Sequence, residues 1–407
     1  MPLSPGPEAD ADRFVLVASL DNARNLSNLL KAVHFRDQVT VFASANGIRV
    51  TAEAAKSVQG NAFIQLRFCR APGQGSGPGS EASSRNLTFT VGVSALLLFD
   101  EKSQCLRRLL QQSEPGVVGE AVSAAIDAGY RHIDGAYSYQ NETEVGAAVK
   151  RKIDEGVVTR ENLFIVSKLW CTFHAPVDVK PSLMETLSAL QLTYLDLYLI
   201  HFPVGFQKVL GELFPVRDNN MLVSEIDYVD TWKAMEALVD EGLVKSIGVS
   251  NFNVSQLQRL LSVARIIPAV NQVELHPYLT QPELVEFCSS RDITVTAFSP
   301  LGSPGRIQSK VNDSADPKDL LKDPVVKVIA EKHRKSPAQV LLRFHVQRNI
   351  ATIPKSVSPA RIRENAEIFD FELMEEDLQS LLALNKNWRV CQLNMLQGHR
   401  FYPFKDS

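Results

Sequence analysis

Gly129–Gly146 reads GYRHIDGAYSYQNETEVG, and the fold turns on how this stretch is parsed. Tyr130, His132 and Ile133 form a short buried strand that Asp134 closes. Gly135–Asn141 is a polar loop, and Glu142 begins an amphipathic helix through Val145, Ala148 and Val149. A carboxylate and a phenol at the carboxyl end of a strand, just ahead of a helix, sit where α/β barrels carry their chemistry. The plainer reading is an ordinary strand-to-helix corner with Asp134 as its cap.

Working downstream, strand and helix keep alternating. The strands are FIVSK (164–168), DLYLIH (196–201), KSIGVSN (245–251), AVNQVE (269–274), TVTAFSP (294–300) and ATIPKS (351–356). Between and after them lie helical patterns at Val179–Leu190, Thr231–Glu241, Val254–Val263, Glu283–Arg291, Val325–Lys332, Ala338–Gln347 and Ala360–Ile368. The strands are short, β-branched and apolar without clean alternation, as parallel strands buried on both faces should be. Counting from Arg131 there are seven strand-plus-helix units. A (β/α)8 barrel closes on eight strands. The helix Val117–Ala128 has no clear barrel strand ahead of it. The expectation is therefore a (β/α)8 barrel over residues 115–407 whose first strand is missing or replaced. An upstream stretch, Leu87–Val93 or Ala95–Phe99, is expected beside Arg131–Asp134, because an open edge would leave backbone groups unpaired.

Upstream the character changes. Residues 1–12 are Pro-rich and acidic and read as disordered. FVLVASL is a strand, Asn22–Val33 has helical spacing, and QVTVFAS and IRVTAEA flank an Asn46-Gly47 turn. Asn61–Phe68 is a further apolar run, residues 71–85 a Gly/Ser/Pro-rich loop, Leu87–Val93 a strand, and Ser94–Leu110 helical in part. This makes residues 13–110 an α+β segment distinct from the barrel.

The 407-residue chain has room for a barrel and an extra module. A net charge of −3 offers no global attraction for nucleic acid or an acidic membrane. Its five cysteines are odd in number, scattered and without C-x-x-C spacing, which points to free thiols in a reducing compartment, with no disulfide frame or zinc site. No apolar run is long enough to span a bilayer, and the N-terminus is unlike a signal peptide. The expectation is a soluble, intracellular protein.

Polar residues recur at the carboxyl ends of the strands: Asp134 and Tyr139, then Lys168, His201, Ser250 with Asn251, Gln272, Ser299, and Lys355 with Ser356. Each alone has a bland reading: Lys168 as a snorkelling surface lysine, His201 as a satisfied core histidine. Together, on consecutive strands of one barrel, they converge on one cleft.

The motifs GYRHIDGAYSYQNETEVG, FIVSKLW, LDLYLIHFP, GLVKSIGVSNF, AVNQVELHPYL and IPKSVSPARIRENAEIFDFEL resemble the aldo-keto reductases, NADPH-dependent barrel enzymes, from Pro115 to the C-terminus. The likeness is strongest to the aldose-reductase and anhydrofructose-reductase branch. It implies reduction of an aldehyde or ketone, sugar-derived carbonyls such as anhydrofructose among them, with Tyr139 as general acid, Lys168 lowering the phenol pKa, Asp134 holding Lys168, and His201 orienting the carbonyl oxygen. A phenol near pKa ~10 needs such a cation to work at neutral pH. The resemblance further implies that Ser250, Asn251 and Gln272 bind the nicotinamide carboxamide and that Phe298, in place of the usual tyrosine, stacks on its ring. Ser299, Leu301 and Ser303 would meet the pyrophosphate. Lys355, Ser356, Ser358, Arg361, Glu364 and Asn365 would hold the adenosine 2′-phosphate and adenine, and the cations at 355 and 361 favour NADPH over NADH. No G-x-G-x-x-G follows a strand, so a Rossmann site is not indicated. Phe202 replaces a common tryptophan, and the loop Val204–Val216 and tail Trp388–Phe404 are expected at the pocket mouth. The family's Gly-Thr-Trp contact from its first strand has no equivalent here.

Leu16–Gln65 resembles part of a DNA-damage-checkpoint sliding-clamp subunit of PCNA-like fold. That implies contact with other clamp subunits and, if functional, a nuclear location beside the cytoplasmic one expected of the reductase. It covers only half of one clamp domain, and Arg24, Lys31 and Arg36 are few for DNA binding. The alternatives to an active reductase are a non-catalytic clamp-like adaptor and a fusion product with impaired activity.

Overall fold

The computed structural model describes residues 13–18, 39–44, 47–53, 105–107, 116–217, 220–304 and 319–405. The expected disordered start, the helix at 22–33, the run at 61–68, the loop at 71–85 and the stretches 87–93 and 95–99 lie outside these residues. The chain divides into two compact units at Glu101/Lys102.

In the first unit β1 (Arg13–Ala18), β2 (Val39–Ser44) and β3 (Gly47–Glu53) form an antiparallel sheet in the order β1-β3-β2. Ser44 pairs with Gly47, so Gly47 belongs to the strand and the connection lies one residue earlier than the Asn-Gly signal indicates.

The second unit is an eight-stranded parallel barrel. Its strands are β4 (Cys105–Arg107), β5 (His132–Asp134), β6 (Phe164–Leu169), β7 (Leu195–Ile200), β10 (Val244–Ser250), β11 (Val270–Glu274), β12 (Thr294–Phe298) and β13 (Ala351–Ile353), paired in that order. A two-residue hairpin, β8 (Val216–Arg217) with β9 (Asn220–Met221), decorates the loop after β7. Helices α1 (Val117–Asp127), α2 (Glu142–Asp154), α3 (Pro176–Leu190), α4 (Tyr228–Asp240), α5 (Val254–Leu261), α6 (Pro282–Ser289), α7 (Pro324–His333), α8 (Pro337–Gln347), α9 (Pro359–Ala366) and α10 (Glu375–Leu382) accompany the strands. Every residue of β7 is buried, the mark of a strand covered on both faces. The core runs between sheet and helices through Val122, Ile133, Leu183, Tyr198, Trp232 and Leu257. Fully burying each such aliphatic side chain contributes about 1.5–3 kcal/mol.

An upstream segment does sit beside β5. Cys105, Leu106 and Arg107 pair in parallel with His132, Ile133 and Asp134, and β4 also lies against β13, bringing the two ends of the sheet together. It is neither of the two stretches expected, and it falls inside the segment read as helical in part. Three residues carry no resolvable periodicity, and their strand state comes from the unpaired β5 edge they satisfy.

Candidate active site

The corner at Asp134 is built around an ion pair. The Lys168 ammonium donates to Asp134 Oδ2 at 2.6 Å and to the Gly135 carbonyl at 2.7 Å, and both side chains of the pair are fully buried. The surface-lysine reading of Lys168 and the capping reading of Asp134 are therefore excluded. The N-cap of α2 is Asn141. Lys168 lies 5.3 Å from the centroid of the Tyr139 ring. Tyr139 is carried on a single 3-10 turn, Tyr137–Tyr139, that closes onto Ala136. His201, following β7, meets Tyr139 edge-on with ring centroids 5.7 Å apart, and its Nδ1 is 3.5 Å from Ser138 Oγ.

The next two strands extend the same network. Gln272 Nε2 donates to Asp134 Oδ1 at 2.6 Å. Ser250 Oγ donates to the Gln272 carbonyl at 2.8 Å, and Asn251 Nδ2 donates to Ser250 Oγ and to the His201 carbonyl at 3.1 and 2.9 Å. Asp134, Tyr139, Lys168, His201, Ser250, Asn251 and Gln272 thus form one connected cluster from five strand ends. Two acceptors in it are left over: Asn251 Oδ1 and Gln272 Oε1 are buried without a hydrogen-bond partner. A buried acceptor left unmade costs about 1–3 kcal/mol. A carboxamide NH2 is the group that satisfies such a pair, so the cluster fits a nicotinamide.

The remaining candidates are carried by β12, β13 and α9. Phe298 is 2% exposed, beside Ile353 and Cys391. Ser299 and Ser303 are bridged hydroxyl to hydroxyl at 2.7 Å, while Leu301 packs toward Leu320 and α7. Asn251, Ser299 and Ser303 have φ of 65°, 51° and 49°. Such left-handed non-glycine positions cost of order 1 kcal/mol each and gather at ligand clamps. Ser356 Oγ accepts from the Ser358 amide at 3.1 Å, and Ser358 stands just ahead of α9 without a side-chain cap bond; the helix carries exposed Arg361, half-buried Glu364 and buried Asn365. Partial burial lowers the pKa of the Lys355 ammonium.

Three features escape the motif reading. Trp170 packs edge-on against His201 at 5.1 Å and its Nε1 donates to the Leu213 carbonyl at 2.7 Å, tying the loop after β7 to the site. Glu274, two residues beyond Gln272, accepts from the amides of Val390 and Cys391 at 2.7 and 2.8 Å and lies 3.0 Å from His276 Nε2. It fastens the C-terminal segment over the barrel mouth. Burial alone would raise its pKa, but the His276 contact and those amides hold it below the usual value. Glu142 is buried behind the Lys168 strand. All three lie inside quoted motifs, Trp170 in FIVSKLW, Glu274 in AVNQVELHPYL and Glu142 in GYRHIDGAYSYQNETEVG, but no local pattern gives them a task. The loop and tail expected at the mouth pack on each other through Trp170, Phe202, Val204, Phe206, Leu396 and Tyr402, so part of their aromatic surface is spent on packing.

Residues 110–386 match the profile of the Aldo/keto reductase family, and residues 15–70 that of Repair protein Rad1/Rec1/Rad17. Aldo-keto reductase family 1 member A1 of Gallus gallus is 50% identical over 307 residues, covering 72% of this chain and 92% of its own. The Homo sapiens protein of the same name is 48% identical over 306 residues, covering 72% and 93%. The solved structure of the aldose reductase from Schistosoma japonicum superposes with a TM-score of 0.68 at 44% identity, covering 75% of this chain and 95% of that one. With the barrel, the buried cluster at its carboxyl end and these likenesses in agreement, the chain belongs to the aldo/keto reductase family and is an oxidoreductase of the carbonyl-reducing, nicotinamide-using kind.

Proposed function

We propose that the barrel reduces aldehydes and ketones, sugar-derived carbonyls among them, to alcohols with NADPH, and that Tyr139 donates the proton. The observation that carries this reading is the buried Asp134–Lys168 pair standing 5.3 Å from the Tyr139 ring. A cation there stabilises the phenolate left after proton donation, and Asp134 keeps that buried cation charged. His201, edge-on to Tyr139, presents an imidazole to the same carbonyl oxygen. When bound, the nicotinamide supplies the hydride. Asn251 Oδ1 and Gln272 Oε1 would accept from its carboxamide, with Ser250 positioning Asn251. Ser299, Leu301 and Ser303 shape the loop assigned to the pyrophosphate. Lys355 and Arg361, with Ser356, Ser358, Glu364 and Asn365, are assigned to the adenosine 2′-phosphate end, and these two cations carry the preference for NADPH.

NADPH titration by fluorescence, then turnover of a simple aldehyde by the wild-type chain and Tyr139→Phe, tests the assignment. Binding in both with turnover in the wild type alone is expected. Equal turnover in both would remove Tyr139 from its role. The match at residues 15–70 supports a second, separate proposal, association with clamp subunits through residues 13–110 and a nuclear pool of the protein. Failure of the full chain to bind purified clamp subunits would end it.

A further inference from the structure

The proposed reduction gives no task to Glu142, although this carboxylate is 6% exposed and stands directly behind the site. It is the first residue of α2, three positions after Tyr139. Ser167 Oγ donates to its Oε1 at 2.6 Å and Thr186 Oγ1 to its Oε2 at 3.1 Å. Ser167 precedes Lys168 on β6, and strand alternation sends the two side chains to opposite faces, Lys168 to Asp134 and Ser167 to Glu142. Thr186 lies on α3, fully buried. Glu142 therefore joins the helix that follows the tyrosine, the strand that carries the lysine, and the helix packed outside both.

The sequence provides for this reach. One turn beyond Glu142 is Gly146, where an added Cβ would stand 2.6 Å from Leu190 Cα and 2.5 Å from its carbonyl oxygen. Leu190 is one turn beyond Thr186, so the glycine lets α2 and α3 close backbone to backbone and brings Thr186 within range. Little slack separates Glu142 from Tyr139. Gln140 is left-handed at φ 55° and its amide returns to the Tyr137 carbonyl at 3.1 Å, and the Asn141 carbonyl takes the amides of Glu144 and Val145.

We propose that Glu142 is a positioning residue: by gripping Ser167 and Thr186 it holds the Tyr139 turn against the strand that presents Lys168, and so sets the separation on which proton donation depends. This rests on the reading of Tyr139 as proton donor. Holding a carboxyl in that place is costly. Burial raises its pKa, and the two hydroxyls and Lys168 only partly offset the loss of water. The other titratable groups facing this region are Tyr137 on the 3-10 turn, Glu185 on α3 and Tyr198 on β7. None of them can grip both Ser167 and Thr186.

The test compares Glu142→Ala and Glu142→Gln in the full chain. Gln keeps an acceptor for one hydroxyl and offers a donor to the other, so it should restore most of what Ala loses. In Glu142→Ala, kcat should fall about tenfold or more with KM for the aldehyde and Kd for NADPH unchanged. The pH at which activity is lost on the alkaline side should move. So should the ionisation of Tyr139 in the cofactor-free protein, read as the phenolate absorbance that Tyr139→Phe removes. If Glu142→Ala fails to fold, Ser167→Ala and Thr186→Val each remove one arm and should each lower kcat with the same alkaline shift. Equal losses in Ala and Gln that track thermal stability, or an unmoved kcat and pH profile in the single-arm variants, would overturn the positioning role. Turnover that survives Tyr139→Phe would instead sink the proton-donor reading, and with it the task given to Glu142.

Discussion

Lys168→Met removes the cation beside Tyr139 while keeping a chain of similar length. At 5.3 Å from the ring centroid, a unit charge in a medium of effective dielectric ~20 interacts with a phenolate by about 3 kcal/mol. Asp134, 2.6 Å from the ammonium, cancels part of that field. The alkaline limb of the kcat/KM profile for aldehyde reduction should move up. The rate at neutral pH should fall roughly 10- to 100-fold. The variant also leaves Asp134 buried with only the Gln272 amide to face it, a loss of about 3–5 kcal/mol of stability unless the acid takes up a proton. Circular dichroism and NADPH binding therefore accompany the kinetics. A folded, cofactor-binding variant whose rate falls while its alkaline limb stays in place would refute the electrostatic role of Lys168.

Asp134→Asn should depress turnover far more than NADPH affinity, and equal losses in stopped-flow rate and Kd would count against the division of labour. Asn251→Ala removes one of the two unpartnered acceptors and should weaken NADPH binding by about 1 kcal/mol, roughly fivefold, measured by fluorescence titration. Arg361→Ala should lower affinity for NADPH while leaving NADH unchanged, and parallel losses would place Arg361 elsewhere. Burial lowers His132 to about 4, His174 to about 3, and His345 well below its ordinary value. The unfolded chain takes up these protons below pH ~6.5 and the folded barrel does not, so stability is full above that pH. It should drain by up to ~4 kcal/mol per unit as pH falls toward 4, with Glu142, whose pKa is raised, opposing weakly. Urea unfolding from pH 7 to 5 checks this, and a flat midpoint would refute it.

The parts of the fold that the sequence spells out are those where one element meets its requirement alone. The strand DLYLIH needs no partner to be recognised. β4 is the opposite case: nothing in Cys105–Arg107 announces a strand, and only the vacant edge of β5 makes it one. The site divides the same way. Asp134, Tyr139, Lys168 and His201 stand at strand ends where chemistry is sought. Glu142 and Glu274 read as helix-start and strand residues, because their purpose lies in hydroxyls and amides brought up from 25 to 117 positions away. No window of sequence contains both halves of such a contact.

The replacement strand has a practical consequence for dissecting the protein. The match to the reductase family profile begins at residue 110, yet the barrel's eighth strand ends at Arg107. A chain trimmed where that profile starts would lose β4 and bare the flank of β5, a ready template for intermolecular pairing. The border of the family profile and the border between the two folded units do not coincide, and the strand that lies between them belongs to the barrel.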